Sequence, residues 1–155
     1  MEHFAVREGT NADFAKLAQI ISSSSAWTCY GIDYNKALKL FEQMQDNIYI
    51  AELNQQVAGF LTIRPDGVGN IEAYIRMLAV DSACRGRGIG AQLIDYAGHI
   101  AASNIPNLFL ICSVDNLDAR RFYERNGFEQ VGLLKDLAVI NHDEILYRKC
   151  LGTLY

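Results

Sequence analysis

The chain has 155 residues, half of them hydrophobic and 21% charged, with a formal net charge of −4. That length suits a single domain, residues 1–155, with a core large enough to fold without metal or disulfide. The acidic balance argues against nonspecific nucleic-acid binding, which carries a basic footprint, and is compatible with a cationic substrate.

Cys29, Cys84, Cys112 and Cys150 are far apart and contain no CxxC pair, so neither a zinc site nor a redox motif is expected. The opening MEHFAVREGT lacks the apolar core of a signal peptide. No apolar run reaches the roughly 18 residues of a membrane span. The expectation is a reduced, cytoplasmic protein with no membrane partner.

In chain order, His3–Arg7 reads as a short strand. Thr10 with Asp13 three residues on resembles a capping arrangement, and a helix follows to about Ile21. Ser22 to Gly31 reads as a loop. Trp27 and Tyr30 on it are candidate substrate contacts of a lid, because aromatics on a loop are costly to leave in water without a use. A helix over 33–45 carries Ala37, Leu38, Phe41 and Met44 on one stripe. Strands 47–53 and 56–64 flank a polar turn at Asn54 and Gln55, and Pro65, Asp66, Gly67 and Gly69 mark another turn. Residues 70–80 are β-like and run into a glycine loop, which opens a helix over 88–103. The run LFLIC within 107–114 reads as a strand buried on both faces. A helix over 117–126 ends at Gly127, and strands 128–134 and 143–149 close the chain. Strand 70–80, helix 88–103 and strand 107–114 form a βαβ unit, so its two strands should be parallel. The remaining connections are hairpin-like, which predicts a mixed sheet and a mixed α/β class.

The glycine loop is Arg85-Gly86-Arg87-Gly88-Ile89-Gly90-Ala91. The N–H groups of a first helical turn lack intrahelical partners, and that end of the helix carries partial positive charge. Glycine lets backbone approach a bulky anion. A phosphate is therefore the expected ligand, favoured by about 1 kcal/mol from the dipole alone. A P-loop nucleotide site is excluded because no Gly-Lys-Ser/Thr follows. Gly86, Gly88 and Ala91 do satisfy the dinucleotide pattern G-x-G-x-x-A. That fold, however, needs an acidic residue at the end of the second strand about 20 residues on, where this chain has Pro106.

Two motifs then point elsewhere. Leu78-Ala79-Val80-Asp81 followed by Arg85, Gly88 and Gly90 resembles the acetyl-coenzyme A loop of the GNAT superfamily of N-acetyltransferases, written Q/R-x-x-G-x-G/A. Asn116, Ala119, Phe122, Tyr123, Gly127 and Phe128 resemble its second motif, N-x-x-A-x-x-F-Y-x-x-x-G-F. The resemblance implies a GNAT-like fold: a central mixed sheet of about six or seven strands, about four helices, and a βαβ core at 70–114. It implies acetyl-coenzyme A as cosubstrate and a primary amine as acceptor, in a small molecule, peptide or protein, with no metal. The backbone of Leu78, Ala79 and Val80 would meet the acetyl-pantetheine arm, and residues 85–91 the pyrophosphate. Asn116 would reach the pantetheine, besides being a natural N-cap. Tyr123 would protonate the departing thiolate, although it also suits a packing role beside Phe122. Dimers are frequent in the resembling family.

The resemblance brings a departure with it. The strand position where the family often carries a glutamate falls near Tyr74. Glu72 lies two residues earlier on the same strand face and is the candidate base, acting through water; an exposed acid near a strand start is its plainer alternative. Tyr74 and Arg76 are candidate substrate-cleft residues. A chain that binds acetyl-coenzyme A as a sensor or scaffold, without turnover, is the competing class, and a dinucleotide-binding module is a remote third.

Overall fold

The computed structural model describes residues 3–69, 72–101 and 106–153. Seven strands form one mixed sheet: β1 (Phe4–Glu8), β2 (Asn47–Leu53), β3 (Gln56–Val68), β4 (Glu72–Val80), β5 (Asn107–Ser113), β6 (Glu129–Val139) and β7 (His142–Cys150), in the order β1-β2-β3-β4-β5-β7-β6. Among the described residues, five helices accompany them: α1 (Phe14–Ser22), α2 (Ser25–Thr28), α3 (Tyr34–Gln43), α4 (Ile89–Ala101) and α5 (Leu117–Arg125). The expected class, strand count and βαβ core are therefore present, with one more helix than expected. The chain divides into two compact units, one of residues 1–63 and 77–96, the other of residues 64–76 and 97–155.

In the first unit, β1 and β3 pair antiparallel with β2. Leu17, Ile20 and Ile21 of α1 and Ala37 and Phe41 of α3 recur at helical spacing. They pack on Ile50, Phe60 and Met77 of the strands. Phe41 meets Phe60 edge-on, with ring centroids 5.4 Å apart. The expected α1 start is refined: Asn11–Asp13 is a 3-10 turn, and the Asp13 carboxylate accepts from the Thr10 N–H at 2.8 Å. Arg7 holds the same carboxylate through both terminal nitrogens, at 2.9 and 2.8 Å, and reaches Glu52 with Nε at 2.6 Å.

Two expectations fail in this region of the chain. Ser22 to Gly31 is not a plain loop. Ser25–Thr28 make a helical turn, and Trp27 packs against the apolar cluster. The turn expected at Pro65–Gly69 comes late, because β3 continues to Val68. Proline lacks only a donor and fits a strand where no ladder bond is drawn from it. Gly67 permits a close strand approach, since a Cβ there would lie 2.5 Å from the Tyr74 Cβ.

In the second unit, β4 and β5 are parallel, with Ala73, Ile75 and the residue between them opposite Leu108, Leu110 and Phe109. β7 pairs antiparallel with β5 and with β6. β5 is not buried on both faces as expected: buried Leu108, Leu110 and Cys112 alternate with half-buried neighbours. Gly127, at φ +84°, closes α5 with the Phe128 N–H on the Tyr123 carbonyl and its own N–H on that of Glu124.

The Arg7 hydrogen bonds hold Asp13 below the usual carboxylate range. A carboxyl depressed in the folded state contributes stability above its unfolded pKa and loses that contribution as pH falls through the folded value. Asp13→Asn is expected to cost about 1–2 kcal/mol at pH 7, partly screened at the half-exposed Arg7 end. The gap from the unsubstituted chain should narrow below about pH 4. Urea unfolding at pH 7 and pH 3 checks this, and equal losses at both would contradict it.

Candidate active site

The glycine loop lies wholly in the first unit. β4 delivers the chain to Asp81, whose N–H bonds the Ala58 carbonyl at 2.8 Å. The Asp81 carboxylate accepts from the Ala83 N–H at 3.0 Å, capping the 3-10 turn Ser82–Cys84, and pairs with Lys16 of α1 at 2.6 Å. Lys16 and then the Ala83 N–H lower its pKa, so the acid stays ionised and pins the start of the loop. Gly59 of β3 permits the packing beneath: a Cβ there would lie 2.8 Å from the Ala79 carbonyl oxygen and 3.4 Å from the Ile89 side chain. A glycine inside the strand run VAGFL is the sequence signal for that approach.

Gly86 and Gly88 take φ +76° and +75°, a left-handed conformation that other residues adopt only with strain. A Cβ on Gly86 would meet nothing within 4 Å, and one on Gly88 only Gln92 Nε2 at 4.0 Å. Packing therefore does not demand these glycines; the backbone turn does, and the space in front of them is clear. The Gln92 N–H bonds the Gly88 carbonyl at 3.1 Å, so the N–H groups of Ile89, Gly90 and Ala91 precede the first intrahelical bond. Arg85 and Arg87 are exposed, while Leu78, Ala79 and Val80 are half-buried. Arg87 also lines, with Lys16, Asp81 and Cys84, an open cleft of about 710 Å³. The loop thus offers backbone donors, a helix N-terminus and two cations on unobstructed space, which fits a diphosphate.

The remaining sequence candidates, Trp27 and Tyr30 apart, lie in the second unit. The Asn116 side-chain oxygen accepts from the Ala119 N–H at 3.2 Å, so it does cap α5. The Tyr123 ring lies among those of Phe122, Phe128 and Tyr147, with centroids 5.4, 5.7 and 6.2 Å away. The residue is half-buried, and desolvation, then Cys112 and Tyr74, push its pKa well above the usual tyrosine value. Tyr74 is half-buried and Arg76 exposed on β4. Arg120 bonds the Tyr147 hydroxyl at 3.3 Å and the Val114 carbonyl at 3.0 Å. The same hydroxyl donates to Glu124 at 3.1 Å, fastening α5 to β7. No local pattern marked Tyr147 for this task.

Glu72 is only 6% exposed, unlike the exposed acid of its plainer reading. Its Oε2 accepts from the Asn107 N–H at 3.0 Å and its Oε1 from the Asn107 side-chain amide at 3.1 Å. Each carboxylate oxygen already holds one donor, and together they fasten the start of β4 to the start of β5. Trp27 and Tyr30 belong to the first unit, on α2 and just after it.

A strand, a glycine turn and a helix N-terminus are thus followed along the chain by a capped helix carrying a half-buried tyrosine. The GNAT-family acetyltransferase model matches residues 15–128, and the chain belongs to that family. A sequence from Methanocaldococcus jannaschii, named an uncharacterized N-acetyltransferase, is 34% identical over 101 residues, covering 62% of this chain and 45% of its own length. A second from that organism is 37% identical, covering 65% and 64%. The chain thus spans about half to two thirds of these relatives. A Pseudomonas phage protein named 5-NmdU N-acetyltransferase is 26% identical, covering 82% of this chain and 88% of its own. A GNAT-family structure from Desulfovibrio desulfuricans superposes with a TM-score of 0.83 at 21% identity, covering 97% of this chain and all of its own. A Bacillus anthracis acetyltransferase structure in complex with acetyl coenzyme A superposes at 0.75 and 22%, covering 97% and 99%.

Glu72→Gln tests the carboxylate's task. An amide in its place turns one acceptor into a donor facing the Asn107 N–H groups, at an expected cost of about 1–3 kcal/mol. The unfolding midpoint should fall while the shape of the pH–rate profile stays the same. A lost acidic limb at unchanged stability would make Glu72 the base instead.

Proposed function

We propose that residues 1–155 act as one N-acetyltransferase domain that moves an acetyl group from acetyl-coenzyme A to a primary amine. The observation that carries this is the pair of left-handed glycines opening α4 onto clear space, within a chain of the GNAT family. In this assignment the backbone amides of residues 86–91 hold the pyrophosphate, with Arg85 and Arg87 adding charge. The backbone of Leu78, Ala79 and Val80 pairs with the pantetheine arm, which leaves their side chains to the core, and Asn116 contacts the same arm. Tyr74, Arg76, Trp27 and Tyr30 are assigned to the acceptor side.

The amine attacks the thioester carbonyl directly. Alkyl amines are mostly protonated at pH 7, so proton removal is worth about 10²- to 10⁴-fold. The engagement of Glu72 by Asn107 favours water as the group that takes this proton. The oxyanion is met by a strand N–H. Tyr123 supplies a proton to the leaving thiolate. A tyrosine whose pKa is raised keeps that proton through the working pH range, so the donor form is always present. The reaction needs no covalent intermediate and no metal. Cys112, buried and pushed up to about 11, is a poor nucleophile. Four free thiols support a reducing, cytoplasmic setting. Exposed Val131, Leu133 and Leu137 on edge strand β6 support a homodimer, which size-exclusion chromatography tests.

Gly88→Glu and Gly90→Glu are expected to abolish acetyl-coenzyme A binding measured by calorimetry, and Arg87→Ala to weaken it only a few-fold. Equal, mild losses in all three would contradict the loop assignment. Tyr123→Phe should lower kcat by about 10²-fold with KM for acetyl-coenzyme A nearly constant. In the unsubstituted enzyme the rate should rise with pH as the amine deprotonates, with no alkaline limb from Tyr123 below about pH 10. A thiol-release screen across amine classes finds the acceptor. Coenzyme A binding without thiol release for any amine would make the chain a sensor.

A further inference from the structure

We propose that Ser113, His142 and Asp115 form a nucleophilic triad. It would take an acyl group onto the Ser113 oxygen and hydrolyse it, an esterase activity on small activated acyl esters and thioesters separate from amine acetylation.

Ser113 ends β5 and His142 opens β7. Their side chains meet with Oγ 2.8 Å from Nε2. The other ring nitrogen, Nδ1, lies 3.6 Å from Asp115 Oδ2. A neutral ring with its proton on Nδ1 faces Asp115 with a donor and Ser113 with an acceptor, so one tautomer serves both contacts. That is the order of roles in a serine nucleophile: hydroxyl, base, and a carboxylate that orients the base. The backbone holds the three in place. β5 and β7 are in register through Ser113 opposite Glu144, and the Val114 N–H bonds the Asp143 carbonyl at 3.0 Å. The Asp115 N–H bonds Ser113 Oγ at 3.2 Å, which occupies a hydroxyl lone pair and directs the hydroxyl hydrogen at the ring. The Asn116 N–H bonds the Ser113 carbonyl at 3.1 Å.

The His142 side chain is 24% exposed and that of Asp115 81%. Water therefore reaches the ring, as deacylation needs, while Asp115 is screened and orients more than it activates.

The steps balance without a further reactant. The Ser113 Oγ–carbon bond forms as the bond from the acyl carbon to the leaving oxygen or sulfur breaks. The hydroxyl proton passes to His142 Nε2 and on to the leaving group. Water then attacks the acyl-serine, gives a proton to Nε2, and the Ser113 oxygen leaves and takes that proton, releasing the carboxylic acid. Use of acetyl-coenzyme A as the acyl donor rests on the transferase proposal, whereas the esterase activity does not.

The probe is p-nitrophenyl acetate, which carries no coenzyme A. The unsubstituted protein should release a burst of p-nitrophenolate followed by slower turnover. Acid-quenched protein digested for mass spectrometry should carry acetyl on Ser113. Ser113→Ala and His142→Gln should each slow the hydrolysis by about 10²-fold, and Asp115→Asn less. Acetyl found only on lysines or the N-terminus, or hydrolysis as fast in Ser113→Ala, would overturn the triad. The Ser113 acetyl is read on the unsubstituted chain, so it does not depend on a variant folding. A burst with no amine acetylated anywhere in the amine panel would overturn the transferase proposal and leave the triad standing. Amine acetylation without Ser113 labelling would overturn only the triad.

Discussion

The short parallel contact between β4 and β5 constrains everything around it. Among the described residues, Ala73 to Ile75 are in register with Leu108 to Leu110, and Glu72 fastens the entrance to that contact through Asn107. A parallel pair cannot be closed by a tight turn, so the chain must cross over, and α4 is that crossover. A crossover helix places its N-terminus just past the end of the first strand. That is why a loop with spare N–H donors follows Val80, and why glycines with positive φ are found at 86 and 88 and not elsewhere along β4 or α4. Lys16 and Asp81 then fix where the loop departs.

Much of this is legible in local sequence because its causes are local. The period of apolar residues in α1 and α3 predicts the faces that pack on Ile50 and Phe60. Gly127 announces the end of α5 because only a left-handed residue allows the closing pair of hydrogen bonds there. The glycine loop is legible because its donors belong to the backbone and its residue types follow from backbone conformation. Other features depend on residues far apart in the chain. Glu72 looks like an exposed acid until Asn107, 35 positions away, turns up as its partner. Trp27 reads as an aromatic on a loop, whereas it sits on the short helix α2 and packs against the cluster that α1, α3 and the strands form. Pro65 reads as a turn because prolines usually end strands, but it lies beyond the register of β3 with β2, which ends at Ile63, so no bond to that strand is lost with the missing donor. Ser113 and His142 are invisible as a pair, since nothing local couples positions 29 apart.

The surroundings of Tyr123 bear on which chemistry the second unit can support. The ring lies among Phe122, Phe128 and Tyr147, and the hydroxyl is enclosed enough to disfavour the phenolate. Such a group keeps its proton through the working pH range and is not available as a base. The same enclosure raises Cys112, so the nearby thiol is held neutral as well. The pair leaves the enclosed part of the unit without a strong nucleophile. That agrees with the proposed direct transfer between two substrates, and the proposed acyl-serine chemistry rests instead on Ser113 and His142.

Asn116 shows how a structural duty can sharpen a functional one. One lone pair of its Oδ1 is committed to the Ala119 N–H, so toward a ligand the side chain offers its two amide hydrogens ahead of that oxygen. In the proposed assignment those hydrogens address a carbonyl of the pantetheine arm. The capping bond also fixes the amide plane, which leaves the direction of that donation to the turn from Ser113 to Asn116. Since the Asn116 N–H is itself held by the Ser113 carbonyl, the end of β5 sets both the pantetheine donor and the serine oxygen from one rigid turn. An aspartate at position 116 would preserve the cap and remove the donor, so helix stability and ligand contact at this residue are separable by chemistry alone.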